Sequence, residues 1–225
     1  MLYTDGVRPR DLDPLSRIER PAPLAQQAYD TIRRELISGR WSPDERLTAD
    51  QVARRLSISR TPAREALRML VMMGSLDSVP GGGYAQRTLT KRSVREHCDL
   101  RLLLEPEAAA LTAGRGGADI AALLAHDDLR DPALDPAHDM RFHVAIAEAC
   151  GNAVLAGLVR TLNERAAVHR VYREPQDAAV REQLAPGHVQ IVTMIETGDS
   201  AGTFAAMHDH LRAERDLLLL ELGAA

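Results

Sequence analysis

Four polar side chains in the second half of this 225-residue chain have types and spacing that suit a metal ion. Asp139 and His143 stand four residues apart in "AHDMRFHVAIAEACG", so on a helix they share one face. His188 falls on the next-but-one helical segment and His210 on the last. One carboxylate and three imidazoles from three antiparallel helices suit a divalent transition metal. The spacing leaves a plainer reading open, in which Asp139 caps its helix and His143 is an ordinary core histidine.

A second constellation lies in "SISRTPAREALRMLVMMG", Ser57 to Gly74. Arg60, Arg64 and Arg68 recur every four residues. Ala63, Ala66, Leu67 and Leu70 form an apolar stripe at helical spacing, so the arginines point outward together. Pro62 sits in the first turn, where a missing N–H costs little. The start of such a helix, bearing Arg and Thr, suits a major groove, and its free N–H groups favour phosphate. A solvated arginine face is the bland alternative.

These residues need elements to hold them. "LAQQAYDTIRRELISGRWSP" places Ala28, Ile32 and Leu36 on one helical face and stops at Gly39. "TADQVARRLSIS" opens with Thr48 and has Gln51 three residues on, a capping-box pattern, with Val52, Ala53 and Leu56 on the apolar face. After the arginine helix, "LDSVPGGGYAQR" reads as two short strands about a glycine turn. Helix, helix, three-residue turn, helix and hairpin make a winged helix-turn-helix. From Lys91 onward about six helices are expected: 92–114, 118–129, one over Asp139 and His143, one from Asn152, one restarted or kinked at Pro186, and one capped by Asp199 or Ser200. The fold class is therefore mostly α, with an N-terminal winged helix-turn-helix and a C-terminal all-α antiparallel bundle. The expected domains are a flexible arm over 1–22, a DNA-binding domain over 23–90 and a ligand-binding and dimerisation domain over 91–225.

Composition agrees with a helical protein: 45% of residues are hydrophobic but only 3% are aromatic. The net charge of −4 argues against a nucleic-acid partner, but its distribution argues for one. Through Arg92 the chain carries +5, and the remainder carries −9. No apolar run is long enough for a membrane span, and the polar N-terminus lacks a signal peptide's apolar core. Cys98 and Cys150 fall within helical patterns and read as reduced core thiols of a cytoplasmic protein.

The motifs together resemble the GntR family of bacterial transcription regulators, in its FadR subfamily. "LSISRTPAREALRMLVMMG" with the glycines of "GGGY" resembles the family's DNA-binding signature. "RLLLEPEAA", "DMRFHVAIAEACGN", "GHVQIVTMIETGD" and "AAMHDHL" resemble landmarks of its FCD effector domain, in the shorter VanR-type form. The resemblance implies operator contacts from Ser59, Arg60, Thr61 and Arg64, and a wing tip at Gly82 and Gly83 near the minor groove. It implies Asp139, His143, His188 and His210 as metal ligands, with zinc first and nickel or manganese as the other candidates. It also implies that Arg101 points at the carboxylate of a small organic acid effector. Two features depart from the family. Asp50 stands where an arginine often contacts DNA and would repel phosphate, and the segment from Thr112 to His138 is short, implying a truncated second effector helix. His208 lies close to His210, but the "HL" ending favours His210.

Leu100, Leu103 and Leu104 cannot all face inward with Arg101, so Arg101 either reaches the bundle cavity or lies on the surface. If it is inside, Glu105 at i+4 supplies a countercharge. The leading expectation is a homodimeric, metal-containing regulator of a palindromic operator on double-stranded DNA, answering to a small carboxylate. One alternative is a hydrolase-like metalloenzyme using His169 or Glu164 as acid or base. Another is a dimerisation domain with a purely structural metal.

Overall fold

Thr48 and Gln51 form the reciprocal cap that their spacing predicts: each side chain meets the other's backbone N–H. That cap starts the second of three N-terminal helices. The computed structural model describes residues 23–42, 45–87, 90–116, 136–170 and 176–224. Within them α1 runs Leu24–Ile37, α2 Ala49–Leu56 and α3 Arg60–Met72. Between α2 and α3, Ser57 adopts φ 54, a left-handed conformation that turns the chain sharply. Pro62 lies in the first turn of α3, as expected. Strands β1 (Leu76–Ser78) and β2 (Tyr84–Gln86) pair antiparallel with Leu76 opposite Gln86, and Leu47 bridges to Tyr84. Gly81, Gly82 and Gly83 in the turn between the strands have φ of 79, 90 and 86, a region that side chains resist. The arrangement is a winged helix-turn-helix.

The C-terminal part contains no strand among the described residues. Helices α4 (Lys91–Gly114), α5 (Pro136–Ala149), α6 (Ala153–Arg170), α7 (Gln176–Glu196) and α8 (Ser200–Ala224) form an antiparallel bundle. In it α4 packs along α8, α5 against α6, and α7 against α8. Pro186 lies inside α7, which runs on as one helix rather than restarting there. Asp199 caps α8 by accepting from the Gly202 N–H at 2.9 Å. The expected arm over 1–22 and helix over 118–129 lie outside the described residues. Cys98 and Cys150 are free and buried. No helix among the described residues is long and apolar enough to cross a membrane.

Two of the three buried apolar clusters among the described residues bear on the site and on how the domains meet. One joins α4, α5, α7 and α8 through Ala109, Phe142, Ile146, Ile191, Ile195 and Met207. The other fills the winged helix with Ile32, Leu36, Trp41, Val52, Leu67 and Leu70. Ala167 and Val168, from the last turn of α6, belong to that second core. The bundle therefore reaches into the N-terminal domain, a contact that no sequence pattern announced.

Candidate functional site

Asp139 and His143 on α5, His188 on α7 and His210 on α8 each offer one donor atom, and these atoms lie within 4.8 Å of one another. All four residues are buried. Nε2 of His188 is 3.1 Å from Nε2 of His210. Oδ1 of Asp139 lies 3.4 Å from His188 Nε2 and 3.7 Å from His143 Nε2. Asp139 therefore turns its carboxylate toward the imidazoles, and His143 is part of a cluster rather than a lone core histidine. Phe142 stacks on His188 with centroids 4.0 Å apart and braces that ring from one side.

The close approach of α8 to α7 depends on a small residue. A Cβ at Gly187 would stand 2.6 Å from Nδ1 of His210. A glycine inside a helix costs roughly 1 kcal/mol relative to alanine, so its place beside two candidate ligands has a steric reason.

The donor set fits a divalent transition metal. Ligand atoms about 2.0–2.2 Å from a common ion stand at most about 4.4 Å apart, so the cluster is only a few tenths of an ångström wider than a loaded site. Four ligands leave open positions in an octahedral shell. Burial lowers the pKa of His143 and, more strongly, of His210, where His188 and His143 add to the effect. Both rings therefore favour the neutral, lone-pair-bearing form that binds metal.

Behind the cluster lies a buried ion network. Arg101 is 2% exposed, so it lies inside the bundle and not on its surface. Its Nε donates to Glu105 Oε1 at 2.6 Å, as the i+4 spacing predicts, and its Nη1 donates to both oxygens of Glu214 at 2.8 and 2.9 Å. Its Nη2 is buried with no hydrogen-bond partner. Asn163 Nδ2 donates to Glu105 Oε1 at 2.8 Å. His143 Nδ1 stands 2.7 Å from Glu105 Oε2, a short contact that is bent rather than linear. Burial pushes the Glu105 carboxyl up, but Arg101 and His143 together outweigh it and hold it well below the ordinary carboxylate range. Asp139, Glu105 and Glu214 thus bring buried carboxyls close to one buried guanidinium, that of Arg101.

Sequence reasoning missed Glu214, Asn163 and Gly187. Gly187 carried a signal, a glycine within a helix beside a candidate ligand. Glu214 and Asn163 carried none, because their pairing depends on the register between helices. His208 lies outside the cluster, partly exposed and stacked near Phe204.

At the other end, Ser59, Arg60, Thr61, Arg64 and Arg68 all lie exposed on one side of α3 and its N-terminus. Gly82 is exposed at the wing tip and Gly83 is half-buried beside it. Asp50, on α2, pairs with Arg60: Arg60 Nε lies 2.6 Å from its Oδ1.

Known proteins agree with both halves. Residues 24–85 match the model of the bacterial regulatory proteins, gntR family, and residues 96–213 match the FCD domain. The chain is 28% identical over 199 residues to the HTH-type transcriptional repressor GlaR of Escherichia coli, covering 81% of this chain and 90% of that one. It is 32% identical over 95 residues to the uncharacterized HTH-type transcriptional regulator YdhC of Bacillus subtilis, covering 42% of each. Its fold matches E. coli McbR/YncC with a TM-score of 0.75 at 21% identity, covering 89% of this chain and 99% of that one. These families and relatives are regulators, which sets the enzyme alternative aside. The arginine-bearing α3, its glycine wing and the helical bundle behind them belong to one design: the chain is a member of the GntR family, a DNA-binding transcriptional regulator with an FCD domain.

Proposed function

We propose that this regulator senses a small organic acid at a divalent metal held by Asp139, His143, His188 and His210. The observation that carries the reading is the convergence of four buried ligand side chains beside a buried guanidinium with an unpaired Nη2. The metal's open positions and Arg101 together suit a carboxylate, which gains from both charges. Zinc heads the candidates, with nickel and manganese behind it. Ser59, Arg60, Thr61, Arg64 and Arg68 would contact the operator, with Gly82 and Gly83 at the wing tip.

The working form is a homodimer on a palindromic operator, since a two-fold dimer presents two identical recognition helices. Leu100 and Leu103 on α4, with Val154 and Leu158 on α6, are exposed apolar side chains that favour such self-association. Effector binding would shift the helices and so alter the spacing of the two DNA-binding domains.

The test combines elemental analysis of the purified protein with operator binding titrated against small carboxylates, with and without chelator. Wild type should respond to one carboxylate, and chelator should abolish the response. Arg101→Lys should respond only at higher effector concentration, because a point charge does not replace the planar fork. A protein that binds metal and operator but answers no carboxylate would leave the metal purely structural.

A further inference from the structure

The buried polar groups around the candidate metal centre lean on one carboxylate. Glu105, midway along α4, turns Oε1 to two donors and Oε2 toward His143. Oε1 accepts from Arg101 Nε and Asn163 Nδ2 at 2.6 and 2.8 Å. Oε2 stands 2.7 Å from His143 Nδ1. The opposite nitrogen of that ring, Nε2, faces Asp139. The imidazole thus has Glu105 against one nitrogen and the cluster against the other.

The chemistry of that contact is directional. An ionised carboxylate only accepts hydrogen bonds. Facing one, a neutral imidazole keeps its proton on Nδ1 and leaves a bare lone pair on Nε2. A metal needs that lone pair, and an outer carboxylate that fixes the tautomer also raises the ligand's basicity. Arg101 and Asn163 hold Glu105 in turn, so its position does not depend on the ion.

We propose that Glu105 is the positioning residue of this centre: it fixes the tautomer of His143 and aims Nε2 at the ion. The proposal rests on reading the cluster as a metal centre, but its geometric half is independent of that reading. It accounts for a carboxylate buried next to a candidate ligand yet outside the ligand set. It also separates Glu105 from Glu214, which accepts from Arg101 Nη1 through both oxygens.

Glu105→Gln makes the idea sharp. The donors of Arg101 and Asn163 would attract the new amide's oxygen, which turns its NH2 group toward His143. A donor opposite Nδ1 demands an acceptor there, so the ring proton moves to Nε2 and covers the lone pair the ion requires. Two measurements on the full-length protein test this. Long-range imidazole proton–nitrogen spectra of metal-free protein report the tautomer, with His143 assigned from a His143→Gln sample. Competition with a chromogenic chelator reports zinc affinity.

Wild type should show His143 protonated at Nδ1, and Glu105→Gln should show it protonated at Nε2. Zinc affinity should fall by about ten- to a hundred-fold in that variant, the usual effect of losing an outer-shell partner. Glu214→Gln should leave the tautomer and zinc affinity unchanged, which a merely structural network would not do. If Glu105→Gln does not fold, the wild-type tautomer still decides: a proton on Nε2 overturns the proposal. An unchanged tautomer and zinc affinity in Glu105→Gln also overturn it. A tautomer flip with no zinc binding in either protein overturns the metal reading and leaves the orientation of His143 supported.

Discussion

Arg60 and Asp50 meet across the helix-turn-helix, with Nε 2.6 Å from Oδ1. Both side chains are substantially exposed, so the pair contributes little stability in water. Its effect is positional, because it ties the first arginine of α3 to α2. Asp50→Ala frees Arg60 and removes a negative charge from the DNA-facing side. Non-specific DNA binding should strengthen at low salt, and discrimination between operator and random DNA should narrow. Binding isotherms on both DNAs across a salt series check this. Equal discrimination in wild type and variant would count against it.

Arg64 has no comparable tether, being exposed one turn further along α3. If it reads a guanine edge, Arg64→Ala should weaken operator binding by ~1–3 kcal/mol and relax preference at one base of each half-site. A phosphate contact would behave differently, weakening all sequences alike and lowering the salt slope by about one. Operator libraries read at two salt concentrations tell these apart.

Metal removal should lower stability, because an ion bound only by the folded state adds to it. Chelator should lower the thermal midpoint of wild type, and added zinc should restore it. An ion present at a hundred times its Kd adds about 2.7 kcal/mol to the folded state. His143→Ala and His210→Ala should lose the bound metal and its stabilisation. His138→Ala and His208→Ala should keep both, since neither residue belongs to the cluster. Equal metal content in wild type and His143→Ala would remove the centre from this site.

Gly187→Ala should separate stability from binding. Alanine improves an exposed helix interior by roughly 1 kcal/mol, but here its Cβ would meet His210 Nδ1 at 2.6 Å. The imidazole has to move, and a displaced ligand weakens the ion's hold. Metal affinity should fall while α-helical content stays the same. An alanine variant with wild-type affinity would show that His210 has room to retreat without leaving the site.

Much of this site was legible because it depends on local spacing. Asp139 and His143 share a face by periodicity alone, and so do Arg101 and Glu105. The pairing of Asp50 with Arg60 could not be read, since charge type was visible but not the turn that folds one onto the other. Glu214 and Asn163 could not be assigned, because their roles depend on how α8 and α6 slide against α4. Ala167 and Val168 looked like ordinary bundle residues for the same reason. A buried position is visible in a sequence, but the core it enters is not.

Val168 supplies the test of how the two domains are joined. It is fully buried in the core that holds Trp41, the chain's sole tryptophan, although it sits on the FCD-domain helix α6. Its carbonyl accepts from Gln86 Nε2 at 2.9 Å, at the base of the wing. Four residues earlier, Glu164 pairs with Arg33 of α1. Between them, the Arg165 guanidinium lies so close to Gly74 that a Cβ there would be 3.1 Å away. One helical turn thus meets α1, the end of α3 and the wing. Val168→Ala removes buried apolar volume from a site whose neighbours are mostly N-terminal, at a cost of about 2 kcal/mol. Trp41 fluorescence should then report unfolding several degrees below wild type, although residue 168 is remote from it in sequence. Independent domains predict the opposite: an unshifted Trp41 transition, with any loss confined to the helical bundle.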